Sequence, residues 1–248
     1  AGDNLVAFAT KASNWAQTQA KNITADKTAT VSAGATNGNY TATFTGLDYG
    51  YYVVAVPGAT LANTSGQYAT LVSVDSTNVN ANIKGSLPTV DKKVQVNGNG
   101  ADTADAKIGD TLTFTLTSTI PDMSAYDTYT FNFKDTLSKG LTYGDITSVT
   151  VGGVDAPLVK DTDYTVTTTP AAAGNTLLTV GMTDFKNKQQ TNAGKKITVT
   201  YTATLNENAV VGGAGNVNSA TIQYSNDPSS TGTGESEPDK VRVFTYGF

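Results

Sequence analysis

Three kinds of side chain with complementary chemistry fall on the inward faces of three separate predicted strands: Lys92, Asp135, and an asparagine at 216 or 218. Side chains alternate across an extended chain. In Asn216-Val-Asn-Ser-Ala-Thr-Ile-Gln-Tyr224 both amides therefore share a face with Ala220, Ile222 and Tyr224, the face a core would bury. In Val90-Asp-Lys-Lys-Val-Gln-Val96 the same parity puts Lys92 with Val90, Val94 and Val96. In Phe131-Asn-Phe-Lys-Asp-Thr-Leu137 it puts Asp135 with Phe131, Phe133 and Leu137. A buried amide must find hydrogen-bond partners, and an amine and a carboxyl facing the same interior can supply them. Each residue also has a bland reading. Lys92 could lie along apolar surface while a bulge turns Lys93 inward. Asp135 could cap the turn at 136–140, and the asparagine could be bonded to backbone. All three bland readings would have to hold together.

The elements that must position these residues are strands. Threonine, glycine, asparagine and alanine dominate, as in a β-rich chain with many turns. Strands are predicted over 28–33, 39–45, 50–56 and 69–74, with Asn37-Gly38 as the turn between the first two. Before them Leu5, Phe8, Ala9, Ala12, Trp15, Ala16 and Gln19 recur at helical spacing, which predicts one amphipathic helix with Trp15 as a core anchor. Gly85-Ser-Leu-Pro88 reads as a linker, so domains are expected over 1–86 and 87–248. The second continues from the Lys92 strand through 111–117, 131–137, 147–151, 164–168, 176–180, 197–205, 216–224 and 240–245. Many short strands with frequent turn signals imply sandwiches of immunoglobulin-like build.

Composition removes several functions. With 15% charged residues and a net charge of −5, nothing suggests nucleic acid or an anionic membrane as a partner. No apolar run approaches the roughly 20 residues of a membrane span. The chain contains no cysteine and no histidine, so it has no disulfide, no Ser-His or Cys-His pair, and none of the commonest metal ligand. The acid groups Asp102, Asp105, Asp110 and Asp155, Asp161, Asp163 match no calcium-loop spacing and read as solvated turns. Glu235 and Glu237 read as solvent-facing loop residues. No cofactor or metal is expected. The abrupt end at Val-Phe-Thr-Tyr-Gly-Phe248 reads as a strand cut at a domain border, and the start as truncated, in a fragment or processed form.

Four stretches together resemble the backbone subunits of sortase-assembled pili of Gram-positive bacteria. They are Phe44-Thr-Gly-Leu-Asp-Tyr-Gly-Tyr-Tyr52, Pro88-Thr-Val-Asp-Lys-Lys-Val94, Asp135-Thr-Leu-Ser-Lys-Gly-Leu141 and Gly215-Asn-Val-Asn-Ser-Ala-Thr-Ile-Gln-Tyr-Ser-Asn-Asp-Pro228. Asp239-Lys-Val-Arg-Val-Phe-Thr-Tyr246 is similar to the strand by which such proteins pass into a third domain. The resemblance implies an all-β fold of two tandem immunoglobulin-like (CnaA/CnaB-like) sandwiches, with one short helix in the first. It implies a structural shaft subunit at the cell wall and pilus surface, joined head to tail to other copies by a pilus-associated sortase. Ancillary pilins and host surface ligands are further expected partners. An adhesin or pilus tip protein using the same module is the alternative, and a secreted glycan hydrolase comes third.

The resemblance also implies a spontaneous isopeptide bond in the domain matching 89–248, between Lys92 and Asn218 with Asp135 assisting. Parity alone selects Lys92 and Asp135 but leaves Asn216 and Asn218 open. The family's asparagine precedes an Ala-x-Ile-x-Tyr strand, which favours Asn218 and makes Asn216 the second choice. A lysine buried among Val and Phe loses hydration and tends toward the neutral, nucleophilic amine. A buried carboxyl in its acid form can polarise the Asn218 carbonyl. The reaction happens once per molecule, so the chain is its own substrate and no turnover enzyme. Lys84, at the end of the first domain, is the lysine that the resemblance implies for sortase linkage, although its setting is Asn82-Ile-Lys84 where the family has Tyr-Pro-Lys.

Overall fold

A computed structural model describes residues 8, 9, 11, 12, 15, 25–30, 32–33, 40–55, 69–80, 87–124, 126–226 and 231–246. Leu5, Ala16, Gln19, the Asn37-Gly38 turn, Lys84 and the Gly85-Ser86 part of the linker lie outside the described residues. Residues 8, 9, 11, 12 and 15 are helical, as the spacing predicts. Ala9 is fully buried, but Trp15 is 61% exposed and Phe8 57%, so Trp15 is not the core anchor expected of it. Strands β1 (Ser32–Ala33) and β2 (Tyr40–Thr41) pair antiparallel, as do β3 (Gly50–Ala55) and β4 (Ala69–Val74). β4 has the bounds its alternation predicts.

From Asp91 onward the chain builds two facing sheets. The first has the order β10 (Leu141–Val151), β13 (Lys196–Leu205), β8 (Thr111–Thr119), β5 (Asp91–Val96), β6 (Asn99–Ala101). The second has the order β11 (Tyr164–Pro170), β12 (Thr176–Met182), β9 (Phe131–Leu137), β14 (Asn216–Ser225), β16 (Asp239–Phe244), β7 (Thr103–Asp105). A three-residue strand β15 (Thr233–Glu235) adds to β14. All pairings are antiparallel except β16 with β7. This is an immunoglobulin-like sandwich, the fold class the sequence predicts.

The period-two patterns set the layers. Leu116 and Phe114 of β8, Ile197, Val199, Tyr201, Ala203 and Leu205 of β13, and Phe131, Phe133 and Leu137 of β9 are buried. The threonines between them point outward. Side chains from both inner faces form one core, in which Phe114 stacks on Tyr201 and Phe131 on Phe185. The β5–β6 hairpin turns through Asn97 and Gly98, both at positive φ, a two-residue turn of the kind an Asn-Gly pair favours.

Besides Trp15, residues 28–30 and 42–45, expected in strands, are not strand, and the sandwich departs from the expectations too. β10 begins at Leu141, not 147, because register shifts between Tyr143 and Ser148 interrupt its alternation. A helical turn, Phe185–Gln189, buries Phe185 in the sandwich core and is too short for a helical period to register. Glu235 ends a strand and bonds Lys134 at 2.7 Å and Thr221 at 3.0 Å, so it is not a free loop carboxylate.

Candidate functional site

Lys92, Asp135 and Asn218 are all fully buried, each at 0% exposure. Lys92 comes from β5 on one sheet, and Asp135 and Asn218 from neighbouring strands on the other. In the β9–β14 ladder Asp135 faces Ala220 and Leu137 faces Asn218, so the acid and the amide lie diagonally on one inner face. Lys92 is register partner to Leu116, and its amine crosses the space between the sheets. Lys93 points the other way, to Asp102 at 2.6 Å and Asp91 at 3.1 Å. The inward bulge at Lys93 does not occur.

The Lys92 Nζ donates to Oδ2 of Asp135 and, at 3.1 Å, to the hydroxyl of Tyr201. That hydroxyl donates to the same Oδ2 at 2.7 Å and accepts from Nδ2 of Asn218 at 2.6 Å. The amine also lies 5.2 Å from the ring centre of Phe114 and 5.3 Å from that of Tyr201. Burial pulls the Lys92 amine below its ordinary value of 10.5, outweighing the opposing attraction of Asp135 and, more weakly, Asp239. Burial first, and the charge of Asp135 next, hold the Tyr201 phenol well above its ordinary value. It is therefore a proton donor at any physiological pH.

Two acceptors in this cluster have no partner, Oδ1 of Asp135 and Oδ1 of Asn218. Buried acceptors are normally satisfied, so this pair marks the cluster as incomplete as a hydrogen-bond network. The arrangement brings together an amine, a carboxyl and a carboxamide, the groups needed for acyl transfer from asparagine to lysine.

Asn216, the other amide on the same face, has no such vacancy. Its Oδ1 accepts from the Val210 N–H at 2.8 Å, and its Nδ2 donates to the carbonyls of Val210 and Val243 at 3.2 Å. Two residues outside the expected set support the site. Tyr201 joins all three groups; its inward parity is legible in Ile197-Thr-Val-Thr-Tyr201, but its hydroxyl's partners are not. Asp239 accepts the Lys92 backbone N–H at 2.7 Å and so ties β5 to the start of β16. Of the acids read as turn residues, Asp110 accepts from the Lys107 N–H, and Asp163 from the Val159 N–H and Lys188, whereas Asp105 ends strand β7 and Asp102 pairs with Lys93.

Residues 108–228 match the family described as Gram-positive pilin backbone subunit 2, Cna-B-like domain. Among solved structures, the 35 kDa C-terminal fragment of the major pilin GBS80 of Streptococcus agalactiae shares 25% identity at a TM-score of 0.53, over 65% of this chain and 57% of its own. The full-length major pilin SpaD from Corynebacterium diphtheriae shares 25% at 0.51, over 81% of this chain and 49% of its own. The T6 backbone pilin of Streptococcus pyogenes, at 20% identity and 0.51, shares the fold over 98% of this chain and 54% of its own. The chain thus spans about half the length of these proteins. No curated protein matches it in sequence. The matched span carries Asp135 and Asn218, and there the chain is similar to the Cna-B-like domain of Gram-positive pilin backbone subunits.

Proposed function

We propose that this chain is a structural shaft subunit of a covalent pilus on a Gram-positive cell surface, and that its sandwich locks itself with an isopeptide bond between Lys92 and Asn218. The observation that carries the self-locking is the dry cluster of a pKa-lowered amine, a carboxyl and a carboxamide with its carbonyl unpartnered. A proton on Oδ1 of Asp135 would give both orphan acceptors a partner and would polarise the Asn218 carbonyl. The Lys92 amine then attacks Cγ of Asn218, ammonia leaves, and an amide joins the sheets. Asn216 is the weaker candidate, because backbone engages its whole amide.

The bond would close a loop from 92 to 218, or 126 residues. By the loop-entropy relation for cross-links this stabilises the fold by about 5 kcal/mol. It would join β5, the first strand of the sandwich, to β14, the neighbour of the last strand. Tension entering at β5 would pass through the bond to β14 and then into the β14–β16 ladder, which runs from Asn216 opposite Val243 to Ala220 opposite Asp239. The core would be bypassed. An amide also resists reduction, which a disulfide would not.

Linkage to other copies by a sortase, through Lys84 on this chain, is the second part of the proposal and rests on the sequence resemblance. The test is expression of the full-length gene product with its pilus sortase. A ladder of polymers on denaturing gels, lost in Lys84→Ala, is expected. Monomer alone in the presence of active sortase would contradict the shaft role, and a ladder unchanged by Lys84→Ala would remove Lys84 from it.

A further inference from the structure

We infer that Tyr201 is a catalytic residue of the cross-link, carrying the proton that the departing ammonia needs; this rests on the Lys92–Asn218 reading above. A phenol hydroxyl has one hydrogen and two lone pairs. At Tyr201 all are in use, and every partner is a reacting group: the hydrogen goes to Asp135 Oδ2 at 2.7 Å, and the lone pairs take Lys92 Nζ at 3.1 Å and Asn218 Nδ2 at 2.6 Å. Packing does not require this. The ring already has its place, stacked on Phe114 with centroids 5.3 Å apart and planes 17° from parallel. A phenylalanine would fill it. The hydroxyl is what connects the attacking nitrogen, the acid and the leaving nitrogen.

The proton count shows where it acts. Lysine enters as a neutral amine and ends as an amide nitrogen, losing one hydrogen. Asparagine's nitrogen enters as an amide and leaves as ammonia, gaining one. As Nζ bonds to Cγ, the carbonyl electron pair moves to Oδ1, held by the acid proton on Oδ1 of Asp135. The acid proton moves from Asp135 Oδ1 onto the Asn218 oxygen, which leaves Asp135 a carboxylate, and the hydrogen shed by Nζ passes to its Oδ2, the present hydrogen-bond acceptor of the amine. In the tetrahedral state Nδ2 regains the lone pair that amide resonance withheld, and the bond to Tyr201 reverses direction. Tyr201 gives its hydroxyl hydrogen to Nδ2 and takes the one on Asp135 Oδ2. The Cγ–Nδ2 bond breaks as the Oδ1 pair returns to reform the carbonyl, its proton goes back to Asp135 Oδ1, and acid and phenol end as they began. Expelling an unprotonated amide ion in a dry core would be prohibitive, so the relay bears on the rate directly.

The experiment follows ammonia loss in the full chain by intact mass, in cell-free synthesis with samples quenched in denaturant. Tyr201→Phe is expected to slow the loss about 100-fold, the usual scale for removing a general acid, while folding as judged by circular dichroism. Tyr201→Phe that folds and links at the wild-type rate would overturn the role. Should that variant not fold, trifluorotyrosine placed at 201 keeps the shape and makes the phenol more acidic. A changed linkage rate supports the relay and an unchanged one overturns it. Failure of the underlying reading looks different: wild-type chain would then keep its full sequence mass at all times.

Discussion

Asn216 and Asn218 are two residues apart on β14, face the same interior and are equally buried, yet they sit in opposite chemical situations. Asn216 lies at the start of the strand, where the 206–215 segment folds over it and supplies backbone groups to every polar atom of its amide. The space is shaped for that amide: a Cβ on Gly140 would come within 2.2 Å of its Oδ1. Asn218 sits one step further along the strand, where its amide nitrogen bonds the Tyr201 hydroxyl and its carbonyl oxygen finds no partner. Backbone makes an amide inert by saturating it. Between the two sheets, the same group keeps an unpartnered carbonyl oxygen.

Removing the acid should have the largest effect on this contrast. Asp135→Ala is expected to leave the chain unlinked and also to strand the Lys92 amine in the core. Loss of a buried partner adds about 3 kcal/mol or more to the loss of the cross-link. Denaturant melts with intact masses check this; a linked Asp135→Ala chain would show the acid to be dispensable. Asn218→Ala comes next. It should keep the full sequence mass and lose the loop-closure stabilisation of about 5 kcal/mol, a fall of about 10–20 °C in melting temperature for a domain this size. Asn216→Ala should link normally and cost about 1–3 kcal/mol for its lost backbone bonds. If instead Asn216→Ala abolished linkage and Asn218→Ala did not, the two amides would have to exchange roles.

The smallest effect concerns pH. In Asn218→Ala the Lys92 amine survives, and its folded-state pKa lies below its unfolded value near 10.5. Between those values the unfolded chain binds more protons, so stability rises with pH through that window and the penalty is fully present below it. In the linked protein the nitrogen is an amide and contributes no such term. The stability gap between wild type and Asn218→Ala should therefore narrow as pH rises from neutral toward 10.5. Paired denaturant melts at both ends of that range measure it, and a constant gap would mean that the amine is not held below its ordinary value.

Much of this was legible before any fold was known, and the reasons are specific. Lys92 and Asp135 stand out because their neighbours at ±2 are Val, Phe and Leu, and a two-residue period cannot put one inward without the other. The same argument could not rank Asn216 against Asn218, since parity treats them alike; what separates them is the return of Val210 over β14, a long-range fact. Tyr201 was visible as an inward residue, but its hydroxyl's partners depend on how the two sheets align. Strands of three residues such as β6, β7 and β15 carry too few side chains to show alternation, and the register shifts in β10 erase it where it would have begun. Trp15 teaches the complementary limit. A helical stripe says which residues share a face, not what covers that face.

The central claim is that folding brings one amine and one carboxamide together and fuses them. Intact mass spectrometry of the purified, fully matured chain under denaturing conditions tests it most directly. The account predicts a mass short of the sequence by one ammonia, with the deficit absent in Asn218→Ala and in Lys92→Ala. A mature wild-type chain at its full sequence mass would contradict it.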